Sequence, residues 1–405
     1  MRWHEYGIDE VCELIVDCVN RTAPVVDHET PYKMIRTSNV RDGWIDMSDA
    51  RNVTKDTYES WTRRAVPRQG DVVLTREAPL GEVGLIRTDD PVFLGQRTVM
   101  YRTNLEKMLP HFLFYSLLSQ DVQAQIQAFG FGSTVSHMRV PDAKKLRLKA
   151  PDTATQEKII YIMDAYDSII EANQRRIQLL EESARLLYRE WFVMLRFPGH
   201  ETVPVKDGVP KGWEKKTLGD ICDDIRDGVD PKEISAGTPY LSMEHMPQRS
   251  LSLIDWDYAD KVGSTKLKFV NSDILFGKIR PYFHKVGIAP INGITSTDVL
   301  VIRARKPEYL PLITLTVSSD DFIAYAVTTS NGTKMPRANW KVLRKRHLLI
   351  PSQQLLTSLA DIFLPILDQI RSIGLHNRAL RQARDLILPK LMSGSIDVSR
   401  ISPPP

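Results

Sequence analysis

The sequence predicts an α/β (α+β) two-repeat protein: two globular domains separated by two long helices that form an antiparallel coiled coil. Three observations predict it. The chain carries one order of features twice, each copy sets short β-rich runs among helical patterns, and each copy ends in a sustained heptad. At 405 residues the chain also exceeds what one ordinary core serves.

The repeat is read by constant offsets. WHEYGIDEVCELIVDCVN (3–20) matches WEKKTLGDICDDIRDGVD (213–230) at an offset of 210, pairing Trp3 with Trp213 and Cys12 with Cys222. GDVVLTREAP (70–79) matches SDILFGKIRP (272–281) at 202, pairing Asp71 with Asp273 and Pro79 with Pro281. GSTVSHMR (132–139) matches GTKMPRAN (332–339) at 200, as does Pro151 with Pro351. Within each copy, runs such as DVVL, VGLI, DILF and VLVI lie between Gly, Pro and Asp punctuation and read as strands. Residues 110–129 and 308–327 read as helices between them.

Both copies end in a seam. Ile159, Met163, Tyr166, Ile170, Asn173, Ile177, Leu180, Ala184, Leu187 and Trp191 advance by alternating steps of four and three, and adding 200 to each keeps the register from Leu359 to Leu391. Alternation over this length is a coiled-coil pattern. Each seam holds one asparagine near its midpoint, and opposite residues of an antiparallel pair have numbers summing to 550, as 173 and 377 do. The expected layer is therefore Asn173 against Asn377, two amides that satisfy each other and fix register. The same arithmetic sets Ala184 opposite Ile366 and Arg384 opposite Tyr166, where it is expected to snorkel or to pair with the Tyr166 hydroxyl, and Pro365 is expected to kink or delay the second helix. The divisions are residues 1–152, a first mixed domain; 153–198, a central spacer helix; 199–351, a second mixed domain; 352–398, a distal spacer helix; and 399–405, a disordered tail.

Composition excludes several classes. No apolar run nears the ~20 residues of a membrane span, and the first residues, MRWHEYGIDEVCEL, lack a signal peptide's apolar core. Three cysteines, at 12, 18 and 222, are too few for a disulfide framework or zinc site, so a reducing cytoplasm is expected. The nine histidines fall at no metal-binding spacing, no metal is expected, and His137, His245 and His284 read as surface or groove residues. There is no Walker A loop and no glycine-rich cofactor loop. PDTATQEK (151–158) has a superficial likeness to a nuclease signature, but its spacing is wrong and Asp152 or Thr153 reads as a helix cap. No catalytic residue and no cofactor is expected.

What remains is charge. SNGTKMPRANWKVLRKR (330–346) holds six cations and no acid in a chain of net charge +4. Its counterpart MRVPDAKKLRLKAP (138–151) holds five cations and one acid, with Leu146 and Leu148 alternating against Lys145, Arg147 and Lys149 as on a strand with one cationic face. Two equivalent cationic edges held apart by a spacer of about 50 Å suit duplex DNA, with half-sites up to about 15 base pairs apart. The differing sequences of the two copies predict an asymmetric, bipartite site.

On these residues the chain resembles a type I restriction–modification specificity subunit. The resemblance rests on DILFGKIRPYFHKVGIA (273–289), the GT turn before a basic strand, the GW at 212–213 and the ending LPKLMSGSIDV (388–398), and it spans nearly the whole chain. It implies two DNA target-recognition domains, each reading half of a split site. It also implies helices that dock methyltransferase subunits, two of them, with restriction/translocase subunits added and S-adenosylmethionine held by the modification subunit. In the second copy the expected DNA contacts are Lys278, Arg280, Tyr282, Thr333, Lys334, Arg337 and Asn339. In the first they are Arg76, Ser133, Thr134, His137 and Arg139, with Arg36 and Ser38 on an early loop. Trp340 reads as a core anchor. Leu179, Leu186, Tyr188, Phe192 and Leu386 are expected docking residues for the methyltransferase. The alternatives are a DNA-cleaving enzyme, for which only the Asp71/Asp273 pair repeats, and a coiled-coil adaptor without DNA contact.

Overall fold

The computed structural model describes residues 2–47, 49–132, 136–259, 263–332 and 334–401. The chain forms two compact units, residues 1–167 with 382–405, and residues 168–381. Each unit holds one mixed part and one segment of each long helix, Thr153–Tyr188 and Gln353–Met392.

In the first unit the central sheet runs Cys12–Asp17, Thr98–Thr103, Val72–Arg76, Leu80–Leu85, antiparallel throughout. In the second it runs Cys222–Asp224, Val299–Ala304, Ile274–Gly277, Val286–Ile288, again antiparallel. The continuous apolar runs DVVL and DILF follow from burial on both faces. Successive side chains of a strand point to opposite faces, so Val72 and Leu74 join one core cluster while Val73 joins another. Ile274 and Phe276 are divided from Leu275 in the same way. A two-strand ladder closes each mixed part: His4 pairs with Ala150 in the first unit and Glu214 with Ile350 in the second, the same register at the offsets of 210 and 200.

Each central strand is entered through a buried aspartate. Asp71 accepts from Arg102 Nε and Nη2 at 2.8 and 2.7 Å and from the Arg68 N–H at 2.9 Å. Asp273 accepts from Arg303 Nε and Nη2, both at 2.7 Å, and from the Val270 N–H at 2.8 Å. The repeated aspartates are thus buttresses of the strand entry. Among the described residues no cluster of three His, Cys, Asp or Glu side chains is placed to hold a metal ion.

The two expected helices at 110–129 and 308–327 are each broken. Pro110–Leu118 and Gln120–Phe129 meet at Ser119, and Leu310–Val317 and Asp320–Thr328 meet just before Ser319. Ser319 Oγ accepts from the Phe322 N–H at 3.2 Å, so a cap inside the apolar pattern starts a new helix. The expected cap at the spacer helix is present, with Asp152 Oδ1 accepting from the Thr155 N–H at 2.8 Å.

Along the first long helix and the turn that follows it, every seventh seam residue from Met163 is buried: Met163 in the first unit, and Ile170, Ile177, Ala184 and Trp191 in the second. The alternate set, Tyr166, Asn173, Leu180 and Leu187, is half-buried. In the second unit Asn173 Nδ2 donates to Asn377 Oδ1 at 2.8 Å, and Asn377 Nδ2 donates to the Ile170 carbonyl at 3.1 Å. Arg176 donates to Gln369 at 3.0 Å, so the two segments run antiparallel there. Regular α-helix gives way at Tyr188 to a wider π turn over Arg189–Val193.

Two expectations about the seam are corrected. Arg384 does not pair with Tyr166; Nη1 donates to Asp167 Oδ1 at 2.9 Å and Nη2 to Asp385 at 3.0 Å. A carboxylate is the stronger partner for a guanidinium than a phenol, and the reach of arginine lets it choose the neighbouring residue. Pro365 does not delay the second helix, which is continuous from Gln353. The proline ring is exposed, and it forfeits one bond, to the Asp361 carbonyl.

A buried carboxylate ties each mixed part to its helix segment. In the first unit the Tyr115 hydroxyl lies 2.7 Å from Asp164 Oδ1 and 2.8 Å from Asp167 Oδ2. In the second, Glu181 Oε1 accepts from Ser250 Oγ and the Leu251 N–H, both at 2.7 Å. No single helix among the described residues is long and apolar enough to cross a membrane.

Candidate nucleic-acid interface

The basic turns are built by one backbone pattern used in both units. In the first, the Arg76 N–H donates to the Arg97 carbonyl at 2.8 Å, and the Met138 N–H donates to the Arg76 carbonyl at 2.9 Å. In the second, the Lys278 N–H donates to the Asp298 carbonyl at 2.8 Å, and the Ala338 N–H to the Lys278 carbonyl at 2.9 Å. Bridges join Glu77 to His137 and Phe131 to His137, and likewise Ile279 to Arg337 and Asn331 to Arg337. The central sheet therefore ends, in each unit, in a three-stranded rung that presents the turn before the basic strand. Equivalent places on that rung carry different side chains.

In the second unit the rung is cationic and half open. Arg337 is 56% exposed at its side chain and lies 3.4 Å from Asp298. Burial lowers the Lys278 pKa, and the nearby Arg226 and Arg337 push it the same way against Asp298 and Asp224. Arg226 itself lies 3.7 Å from Asp224. Three cations against two carboxylates leave a local positive excess. Arg280 and His284 bracket a tight turn, Pro281–Phe283, and both sit in the left-handed region with φ of 49° and 52°. The Arg280 N–H donates to the Pro336 carbonyl at 2.8 Å, coupling this turn to the basic one. Tyr282, at its tip, is 51% exposed.

His284, expected at the surface or in a groove, is buried. Its Nε2–H donates to the Ser318 carbonyl at 2.8 Å, which anchors the turn, and burial lowers its pKa. Ala78 holds the position of Arg280 in the first unit, also in the left-handed region with φ of 51°.

In the first unit the charges are rearranged on the same rung. Glu77 lies 3.3 Å from Arg97 Nε and 3.2 Å from His137 Nδ1, where the second unit has Ile279, Asp298 and Arg337. Asp142 accepts from Arg139 Nε at 2.9 Å and from Lys145 Nζ at 3.0 Å, so it pre-orients two side chains that are 64% and 62% exposed. Leu146 and Leu148 are buried while Lys145, Arg147 and Lys149 are exposed. Arg36 donates to the Asp49 carboxylate and carbonyl at 2.7 and 2.8 Å, and Ser38 is exposed beside it. The Gly95 N–H, two residues before Arg97, donates to the Ile35 carbonyl at 2.7 Å, so this loop borders the rung.

Not every expected residue is free to meet a ligand. Arg76 is buried, with Nη1 donating to the Met138 carbonyl at 3.0 Å, and it braces the turn. The Asn339 side-chain oxygen Oδ1 is taken by the Lys341 N–H at 3.0 Å, as the cap of Trp340–Leu343. Trp340 is half-buried against the core, in keeping with an anchor. Lys334 is exposed. Ser133, Thr134 and Thr333 lie outside the described residues, as do residues 402–405 of the expected tail. Of the expected docking residues, Leu179, Leu186 and Leu386 are exposed at 47%, 53% and 71%. Tyr188 and Phe192 are not: they stack 5.5 Å apart and pack on their own core.

Sequence reading missed Arg97, Glu77, Arg226, Phe131 and Asn331. The offset of 200 that aligned the turns pairs Phe131 with Asn331, and that difference was available in the sequence. Arg226 carried no such signal, because only the sheet brings it to Lys278.

Residues 2–182 match a family model described as the type I restriction modification DNA specificity domain. Over 369 residues the chain is 23% identical to the type I restriction enzyme MjaIX specificity subunit of Methanocaldococcus jannaschii, covering 87% of this chain and 83% of that one. It is 21% identical over 399 residues to the HindI specificity subunit of Haemophilus influenzae, covering 81% of this chain and 87% of that one. Among solved structures, the S subunit of a type I restriction–modification system from M. genitalium aligns over 96% of both chains, with a TM-score of 0.56 at 16% identity. That likeness is one of fold.

Proposed function

We propose that the chain is a type I restriction–modification specificity subunit, like the relatives it resembles, and that each of its units reads one half of a bipartite, asymmetric site in double-stranded DNA. The observation that carries this reading is the repeated rung. One backbone frame, built from the strand ends at 76–77 and 278–279, presents two different sets of side chains on two basic edges. A frame that repeats while its side chains vary is what reading two different sequences requires.

In the second unit Arg337 and Arg280 are the proposed base readers, since arginine matches guanine O6 and N7 in the major groove. Lys278, Lys334 and Arg226 meet phosphate, and Tyr282 lies against the backbone. In the first unit His137 and Arg139 face base edges, with Lys145, Arg36 and Ser38 on the flank. Arg76 and Asn339 position the turns. Ser133, Thr134 and Thr333 remain proposed contacts. The target-recognition domains are residues 1–152 and 199–351, and residues 153–198 and 352–398 are the spacers.

Type I specificity subunits work with methyltransferase and restriction subunits. We assign the exposed faces at Leu179, Leu186 and Leu386 to docking two methyltransferase subunits, which supply S-adenosylmethionine and the catalytic residues, in the cytoplasm. Co-expression with a methyltransferase subunit, followed by mapping of modified bases, tests the reading. A split asymmetric motif is expected. Cleavage of DNA by the isolated chain would overturn it.

A further inference from the structure

Phe131 stands in the basic turn of the first unit with half its surface exposed. An apolar ring among cations is out of place on an edge that only neutralises phosphate. It is also held. The Phe131 N–H donates to the His137 carbonyl at 3.1 Å, and the His137 N–H returns a bond at 2.9 Å. The His137 ring meets it edge-on, with centroids 5.4 Å apart at 81°. The Arg139 guanidinium lies 5.4 Å from its centroid. Arg139 is fixed in turn by Asp142, and the His137 ring lies 3.2 Å from Glu77.

The second unit has the same pair of backbone bonds, at 3.1 and 2.9 Å, between Asn331 and Arg337. There the side chain is an exposed amide with no partner among the described residues. One position thus carries a fixed apolar ring in one copy and a free amide in the other, on frames that otherwise coincide.

We propose that Phe131 is a specificity-determining residue that selects thymine in the first half-site through its C5-methyl group. That methyl is the one apolar feature a base pair presents in the major groove. Arg139 and His137, beside the ring, would hold the flanking phosphate or base edge and so set its depth. The inference rests on the DNA-reading function proposed above, and the test separates the two.

A pool of random-sequence duplexes is selected with the full chain co-expressed with its methyltransferase subunit, using wild type, Phe131→Ala and Phe131→Leu. The wild type is expected to select a split motif containing a thymine in one half. Phe131→Ala loses the preference at that position alone, and Phe131→Leu, which remains apolar, keeps it. Replacing that thymine by uracil removes only the methyl and is expected to weaken the wild type about fourfold, the worth of one buried methyl group, and Phe131→Ala not at all. A Phe131→Ala protein that retains the thymine, or that responds to uracil as the wild type does, overturns the inference and leaves the split-site reading standing. A wild type that selects no split motif sinks that reading, and this inference with it.

Discussion

His137 and Arg337 occupy the same rung of the same frame, yet one faces a glutamate at 3.2 Å and the other an aspartate at 3.4 Å from a different strand. Such partly exposed pairs contribute little to stability and are free to exchange a carboxylate for a base or phosphate. Arg337→Ala is expected to weaken specific binding by about 1–3 kcal/mol and relax selectivity at one position. Lys334→Ala should instead weaken all sequences alike and reduce the salt slope by about one; titrations at several salt concentrations distinguish them. Arg280→Ala should lose affinity without unfolding, because Ala78 already holds the equivalent left-handed position in the first unit.

Buried residues predict differently. Asp71 is 1% exposed and clasped by Arg102, so Arg102→Ala strands a buried carboxylate and should cost about 3–5 kcal/mol in denaturant unfolding. His284 contributes a pH dependence. Its folded pKa lies below its unfolded value, mainly through burial, with Arg249 and Arg185 adding to the shift and the Ser318 carbonyl and Asp320 opposing it. Below about pH 6.5 the unfolded chain therefore binds the extra proton, and stability falls as pH drops toward the folded value. His284→Gln should flatten that slope, read as unfolding midpoints between pH 5 and 8.

At the scale of elements, the Asn173–Asn377 layer shows how far heptad arithmetic reaches. Seam position and an antiparallel sense suffice to set two amides opposite each other, because a helix fixes side-chain direction by residue number alone. Asn173→Leu should destabilise the chain by about 1–3 kcal/mol, since it leaves a fully buried Asn377 oxygen without its donor. The double change to leucine should recover much of that loss, which a thermodynamic cycle measures. The same arithmetic misses Arg384, whose partner lies beside the seam at Asp167. It also misses the breaks near Ser119 and Ser319, at the second of which a local cap overrides apolar periodicity.

Repeat offsets carry register from one copy to the other, so 4 with 150 implies 214 with 350. What sequence could not give was burial at the site. Arg76 and Asn339 read as contacts by residue type and position, but one braces the Met138 carbonyl and the other caps a short helix. Phe131 and Arg226 went unread because their meaning depends on neighbours from other strands.

For the whole molecule, the central claim is that two independent readers share one chain. Each unit carries its own rung, its own Asp–Arg buttress and its own carboxylate tie to a helix segment. Substitutions at one rung should therefore leave the other half-site untouched. The most direct measurement is genome-wide mapping of modified bases in cells co-expressing a methyltransferase subunit with the wild type, with His137→Ala/Arg139→Ala, or with Arg280→Ala/Arg337→Ala. The account predicts a split motif in which the first pair of changes degrades one half alone and the second pair the other half alone. A motif in which either pair alters both halves together, or a single undivided motif, would contradict it.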